Sequence, residues 1–228
     1  MTDIAGLHRI ELEIVGAYLL ETETGRVLVD TGLPHTHGTL MNELERIGGP
    51  APELIVLTHA HMDHVGGLHA TVDALGGVPV AAHPEEAELM AQGETSRDLV
   101  PSEYCPPDLR EMIKHKPKID PVEVQVQLSD GDTVPGFPSL TAIHSPGHSA
   151  GHISLLWNHA GGVLIVGDAA ATVAGLTPPP VAEDFDVTEA SLRKLAGFEF
   201  ETAVFGHGPP ISSGASGAFR EAWAPATA

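Results

Sequence analysis

Residues 58–67, THAHMDHVGG, place three histidines and an aspartate within six consecutive positions. In a chain of 228 residues with 14 histidines, a His-x-His-x-Asp-His pattern is expected by chance only roughly 0.003 times. The apolar run ELIVLT (53–58) comes directly before the histidines and predicts a short buried strand that leads into them. The pattern therefore indicates a built site rather than a polar loop.

The spacing within this segment suits metal ligation. In a loop that leaves a strand, His59 and His61 can point to one side, while Asp63 and His64 point to another. Such a loop would supply ligands to two adjacent cations rather than to one. Imidazole suits zinc, and mixed imidazole and carboxylate ligation also suits iron, manganese or cobalt.

Further candidate ligands follow strand-like runs downstream. His148 lies in SPGHSAGH, Asp168 in IVGDAAAT and His207 in FGHGPP, each close to glycines that permit tight turns. Taken singly, each residue has an ordinary structural explanation. Since residues at the ends of adjacent strands can converge on one edge of a sheet, we expect these side chains to meet the first cluster.

The rest of the chain alternates strand-like and helix-like stretches. Strands are predicted at 9–21, 26–30, 53–58, 78–83, 122–128, 139–145, 152–158, 162–168 and 201–207. Helices are predicted at 35–49, 67–77, 187–196 and 215–223. The less regular stretch 84–118, with helical pieces around 85–92 and 108–115, is either a cover for the site or a plain packing pair. We expect a single domain over 1–228 with a helical insertion around 84–118.

The charge, the apolar content and the cysteine count of the chain limit the partners and the cellular location that we expect. The chain has 11 Lys and Arg against 31 Asp and Glu, a formal net charge of −20, which disfavours nucleic acid and anionic membranes. No apolar run reaches the roughly 18 residues of a membrane span, and the first residues do not resemble a signal peptide. The single cysteine, Cys105, excludes an intramolecular disulfide. We expect a cytoplasmic protein with a small-molecule substrate, and a homodimer is left open.

The order VDTG, THAHMDH, PGHSAGH, GDA and GHG resembles the metallo-β-lactamase superfamily of metal-dependent hydrolases. The resemblance spans about residues 9–210. It implies an α/β fold: a four-layer αββα sandwich of two mixed β-sheets flanked by helices, with a dinuclear metal site at one edge.

The resemblance also assigns roles to the candidate ligands. His59, His61 and His148 would hold the first metal; Asp63, His64 and His207 would hold the second; and Asp168 would bridge both. Asp30 in VDTG would orient a ligand by hydrogen bonding. The implied cofactors are two divalent ions, zinc in the first place, with iron or manganese as alternatives.

The implied enzyme is a hydrolase. A water shared by two metals has its pKa lowered toward ~7, so a bridging hydroxide would attack a carbonyl carbon. Asp63 would be the catalytic residue, ligating one metal, positioning the nucleophile and passing a proton to the leaving group.

The chain departs from several branches of the superfamily. Metallo-β-lactamases rarely carry an aspartate at the position of Asp168, and acyl-homoserine lactonases usually have a tyrosine where this chain has Ala171. Flavodiiron proteins place a glutamate at the position of His61. The favoured substrate is a small ester, lactone or thioester, with β-lactam hydrolysis as a side activity at most.

Two other hypotheses stay open at this stage. The first is an oxidoreductase resembling mononuclear iron persulfide dioxygenases, which would use His59, His148 and Asp168 for one iron. The second is a metal-binding scaffold that has lost catalysis. A protein that has lost catalysis normally loses some of its metal ligands as well. Every ligand position is filled in this chain, which favours the hydrolase.

Overall fold

The computed structural model describes residues 4–224, in which twelve strands form two larger sheets and a two-stranded ribbon. The strands are β1 (Leu7–Leu12), β2 (Val15–Glu21), β3 (Arg26–Val29), β4 (Leu54–Val56), β5 (Val80–Ala82), β6 (Val100–Pro101), β7 (Val126–Gln127), β8 (Leu140–His144), β9 (Ile153–Trp157), β10 (Val163–Gly167), β11 (Val181–Ala182) and β12 (Thr202–Phe205). The first sheet has the order β1-β2-β3-β4-β5-β7, and the second has the order β12-β10-β9-β8. Strands β6 and β11 form the ribbon.

Both larger sheets are mixed. Strands β1, β2 and β3 pair antiparallel, whereas β3, β4, β5 and β7 run parallel. In the second sheet β8, β9 and β10 are antiparallel and β12 pairs parallel with β10. The ends of β10 and β12 therefore lie side by side, which places the residues that follow them at the same edge.

Within the part of the chain that the structure describes, seven α-helices accompany the strands. They are α1 (His37–Ile47), α2 (Met62–Val65), α3 (Leu68–Ala74), α4 (Pro84–Ala91), α5 (Pro107–Met112), α6 (Phe185–Leu195) and α7 (Ala215–Trp223). Five of them, α1, α3, α4, α6 and α7, pack against the outer faces of the two larger sheets. Helix α1 turns one apolar face inward through Leu40 and Leu44 and is followed by the C-cap residue Gly48, whose φ of 74° suits glycine. Helix α6 is N-capped by Asp184, whose carboxylate accepts hydrogen bonds from the backbone N–H groups of Asp186 and Val187.

Three apolar clusters define the layers. The central one joins the two sheets, with Val29 and Val56 of the first packed with Leu155 and Trp157 of the second. A second cluster lies between the first sheet and helices α1, α3 and α4, and a third lies between the second sheet and helices α6 and α7. The predicted four-layer αββα sandwich is confirmed.

Some predicted elements were wrong in extent. Residues 9–21 do not form one strand, because the chain reverses at Glu13 and Ile14, where Glu13 has a φ of 64°, and β1 pairs with β2 as a hairpin. The predicted strand 122–128 is reduced to β7, since residues 122–124 do not pair with β5. Asp63 and His64, predicted in a loop, lie on the short helix α2.

The stretch 84–118 contains α4, β6 and α5. It is tied to the second half of the chain, because β6 pairs antiparallel with β11. Within residues 4–224, no helix combines the length and the apolar character needed to cross a membrane.

Candidate metal centre

The first histidines of the site follow a buried strand. Strand β4 is apolar throughout, and the chain leaves it through Thr58 to His59, which is fully buried. His61 is in an extended conformation and directly precedes α2, which carries Asp63 and His64. The next turn passes very close to another loop, because a Cβ on Gly66 would lie 2.4 Å from Cδ of Pro34. Glycine at position 66 therefore allows the close packing that fixes this segment.

The remaining candidates come from the second sheet. His148 lies in the loop between β8 and β9, Asp168 follows β10, and His207 follows β12. His207 and its neighbours are tied to the β1–β2 hairpin, since Gly16 N–H donates to the Gly206 carbonyl at 2.8 Å. The site thus lies where loops of both sheets meet.

The structure brings together all seven residues that the sequence suggested as ligands. Within each of three overlapping groups, the potential ligand atoms lie within 4.8 Å of one another. The groups are His59, His61 and His148; His59, His64 and Asp168; and Asp63, His64 and His207. Asp168 also reaches beyond its own group, because its Oδ2 lies 3.6 Å from His148 Nε2 and 3.1 Å from His207 Nε2.

Five buried polar atoms at this edge make no hydrogen bond with any residue that the structure describes, and two of them, His64 Nε2 and Asp168 Oδ1, lie 3.5 Å from each other. Within residues 4–224, no hydrogen bond is made by the Nε2 atoms of His59, His61, His64 and His148, or by Asp168 Oδ1. An unsatisfied buried polar atom costs about 1–3 kcal/mol, so five that converge require an explanation. Divalent cations would accept these lone pairs, and the nitrogen and carboxylate donors fit zinc, iron or manganese.

The opposite ring nitrogens have partners that orient the rings toward the centre. In four of the five candidate ligand histidines, Nδ1 lies within hydrogen-bond distance of a protein oxygen, so that Nδ1–H can donate and Nε2 keeps its lone pair. The pairs are His59 with Thr58 Oγ1 at 3.0 Å, His64 with Asp30 Oδ2 at 2.8 Å, His148 with the Val181 carbonyl at 2.8 Å, and His207 with the Ile14 carbonyl at 2.7 Å.

Asp30, to which the resemblance assigns an orienting role, contacts both Thr58 and His64. Its Oδ1 accepts a hydrogen bond from Thr58 N–H at 2.8 Å, and its Oδ2 accepts from Thr58 Oγ1 and lies 2.8 Å from His64 Nδ1. One buried carboxylate therefore connects the start of the histidine segment with the ring of His64.

The protonation of the imidazoles depends on their neighbours. Burial, together with the nearby His148, lowers the pKa of His61 to about 3, and burial also lowers the pKa of His59 well below its usual range. Burial would also lower the pKa of His207, but Asp168 and Asp63 outweigh it and raise that pKa to about 10. In the metal-free protein, a proton on His207 partly offsets the charge of the two carboxylates, as a cation would.

Glu86, the Val181 carbonyl and His152 were not among the site residues that the sequence suggested. His152 is fully buried, and its Nε2 accepts a hydrogen bond from Asp168 N–H at 2.9 Å. Its Nδ1 therefore carries the proton and donates to Ser145 Oγ at 2.9 Å. Glu86 had one detectable signal: an acidic side chain four residues before Met90, on the apolar face of α4.

A sandwich of two mixed sheets with a histidine and aspartate cluster at one edge defines a class of metal-binding proteins. The model of the metallo-beta-lactamase superfamily matches residues 11–207, and the chain belongs to this superfamily. A probable metallo-hydrolase of Bacillus subtilis, YflN, is 30% identical over 91% of this chain and 85% of its own length. An N-acyl homoserine lactonase from a Bacillus species is 30% identical over 79% of this chain and 74% of its own.

The fold is shared with solved structures as well. The chain superposes with a TM-score of 0.70 on BJP-1, a subclass B3 metallo-beta-lactamase of Bradyrhizobium japonicum. The match covers 96% of this chain and 88% of that chain at 22% sequence identity. At 22% sequence identity, this similarity shows a shared fold only.

Proposed function

We propose that this protein is a hydrolase whose seven-residue centre holds two divalent cations, zinc in the first place, and cleaves a small lactone, ester or thioester. The convergence of unpartnered buried donor atoms carries this proposal. Two sets of donors, His59, His61 and His148 on one side and Asp63, His64 and His207 on the other, have the composition that two cations need. The position of Asp168 between these sets supports a bridging role.

Bound divalent cations would lower the pKa of a water and polarise the carbonyl oxygen of the substrate. The chain's own residues complete the reaction. Asp63 is the more accessible of the two carboxylates, with 23% of its side chain exposed, and its Oδ2 lies 3.1 Å from His207 Nε2. Its carboxylate can accept a proton from the attacking water and return it to the leaving alkoxide or thiolate.

The comparison with the N-acyl homoserine lactonase supports a lactone as the first substrate class to examine. This chain has Ala171 where the lactonases usually have a tyrosine, and Ala171 is buried, with its N–H donating to the Thr177 carbonyl at 3.0 Å. The oxyanion would therefore depend on the cations, without a phenol donor from this position.

The alternative of a mononuclear iron oxygenase uses fewer donors than this centre offers. Asp63, His64 and His207 form a separate group with its own imidazole and carboxylate atoms. A second complete group is unexplained in a one-metal enzyme, which favours the hydrolase.

The test is an assay of metal-depleted and reconstituted protein. The protein is reloaded with Zn²⁺, Fe²⁺ or Mn²⁺ and assayed with lactones, esters, thioesters, β-lactams and phosphodiesters. We expect hydrolysis of a lactone or ester that disappears on chelation and in Asp168→Ala, which also lowers the bound metal. Substitution of the exposed Asp120 by alanine is the matched control and should change neither property.

Full activity in Asp168→Ala or in chelator-treated protein would contradict the proposal. Oxygen uptake with glutathione persulfide by protein holding a single iron would instead support the oxygenase.

A further inference from the structure

Glu86 is a fully buried carboxylate on α4, outside the proposed ligands. Its Oε2 accepts a hydrogen bond from Ala60 N–H at 2.8 Å. Its Oε1 accepts two more, from Ser149 Oγ at 2.9 Å and Gly151 N–H at 2.8 Å. The two oxygens of one carboxylate therefore bind two different loops.

These two loops carry one particular group of candidate ligands. Ala60 lies between His59 and His61, and Ser149 follows His148. Glu86 thus joins the two segments that supply the three-histidine group. His64 and His207 are supported elsewhere, by Asp30 and by the Ile14 carbonyl.

Gly151, Arg97 and Glu183 surround the Glu86 carboxylate and support its contacts with the two loops. A Cβ on residue 151 would lie 2.8 Å from both Cγ and Oε1 of Glu86, so glycine at this position allows the loop to approach the carboxylate. Arg97 Nη1 lies 3.8 Å from Glu86 Oε1 and 3.7 Å from Glu183 Oε1. Glu183 Oε2 in turn accepts from Ala150 N–H at 3.1 Å, which adds a second carboxylate to the His148 loop.

We infer that Glu86 is a positioning residue for the three-histidine metal site: it holds the His59–His61 segment and the His148 loop at the separation that one cation requires. The inference rests on the proposed function only in requiring that the centre bind metal. It also gives the 84–118 stretch a role, since Glu86 and Arg97 both lie within it.

Glutamine is the informative substitution because it keeps the size of the side chain. Whichever way the amide is turned, its NH₂ group faces a backbone N–H donor, either Ala60 or Gly151. One of the two loops must therefore lose the hydrogen bond of its backbone N–H group in Glu86→Gln. Glu88→Gln is the matched control, since Glu88 is an exposed carboxylate on the same helix.

The experiment measures Co²⁺ binding to metal-depleted protein, by its visible absorption spectrum, in two backgrounds. His207→Ala removes a donor of the second group and leaves the three-histidine group complete, whereas His61→Ala does the reverse. Loss of a residue that orients metal ligands typically lowers metal affinity about 10–100-fold. We expect a loss of this size from Glu86→Gln in the His207→Ala background and little change in the His61→Ala background.

Equal affinity losses in both backgrounds would show a general structural role and overturn the inference, as would no loss in either. Ser149→Ala removes one of the three hydrogen bonds without changing charge, and it should produce a smaller loss confined to the same background. This variant decides the question if Glu86→Gln does not fold. A wild-type protein that binds fewer than two Co²⁺ ions would instead contradict the proposed function.

Discussion

At the scale of single residues, the two nitrogens have different roles in four of the five imidazoles of the centre: Nδ1 makes a hydrogen bond to the protein, and Nε2 faces the cluster. On His148 and His207, Nδ1 lies beside a backbone carbonyl, an acceptor that has no proton to give. The tautomer with Nδ1–H is therefore the favoured neutral form, and the lone pair of Nε2 is directed to the cluster. The orientation of these donors is set by the fold before any cation binds.

Asp30 provides a direct test of such orientation. In Asp30→Asn, the NH₂ group must face either Thr58 N–H or His64 Nδ1–H, so one hydrogen bond is lost in either orientation. We expect Zn²⁺ affinity to fall about 10–100-fold, as measured by competition with a chromophoric chelator. Asp120→Asn, at an exposed position, should bind Zn²⁺ as the wild type does. Unchanged affinity in Asp30→Asn would show that His64 needs no such support.

The sequence predicted side chains with a local pattern better than those that act through distant contacts. His59, His61, Asp63 and His64 share one short segment, so their spacing alone predicted a cluster that the structure does bring together. Glu86 contacts this segment from 26 positions away, and its place beside Ala60 depends on the packing of α4. A backbone carbonyl such as that of Val181 has no side-chain signature at all.

At the scale of elements, the β1–β2 hairpin shows where pattern reasoning failed. Alternating apolar residues predicted one strand over 9–21, because no glycine, proline or asparagine marks the reversal at Glu13 and Ile14. The turn matters for the site, since the Ile14 carbonyl accepts from His207. A non-glycine residue with positive φ is difficult to predict from sequence because tertiary contacts, not local preference, stabilise it.

The hairpin also supports the His207 loop through Tyr18. Its hydroxyl is buried and donates to the Phe205 carbonyl at 2.6 Å. Tyr18→Phe removes this bond and leaves the apolar contacts in place, so we expect the free energy of unfolding to fall by about 1–2 kcal/mol. Chemical denaturation measures the change. Tyr104→Phe is the control, because Tyr104 is 83% exposed and its replacement should leave stability within about 0.5 kcal/mol of the wild type. An equal effect of both substitutions would exclude a specific role for the Tyr18 hydroxyl.

At the scale of the whole molecule, the site connects the two halves of the sandwich. His59, His61 and His64 follow β4 of the first sheet, whereas Asp168 and His207 follow β10 and β12 of the second. A cation held by donors from both sheets would therefore cross-link the central layers. This connection makes metal binding a property of the folded chain, since the unfolded chain has no preformed site.

The linkage between folding and metal binding predicts a metal-dependent melting temperature. A ligand that binds only the folded state stabilises it by about 2.7 kcal/mol at a free concentration 100 times its Kd. For a domain of this length, each kcal/mol raises Tm by about 2–4 °C, so Zn²⁺ should raise Tm by about 5–11 °C over chelator-treated protein. Differential scanning calorimetry measures the shift. Asp168→Ala should lose most of it, because Asp168 Oδ2 lies between His148 and His207, whereas Asp120→Ala should retain it. An identical Zn²⁺ shift in Asp168→Ala would mean that the cation stabilises the protein at some other place, and that the two sheets are not linked through this centre.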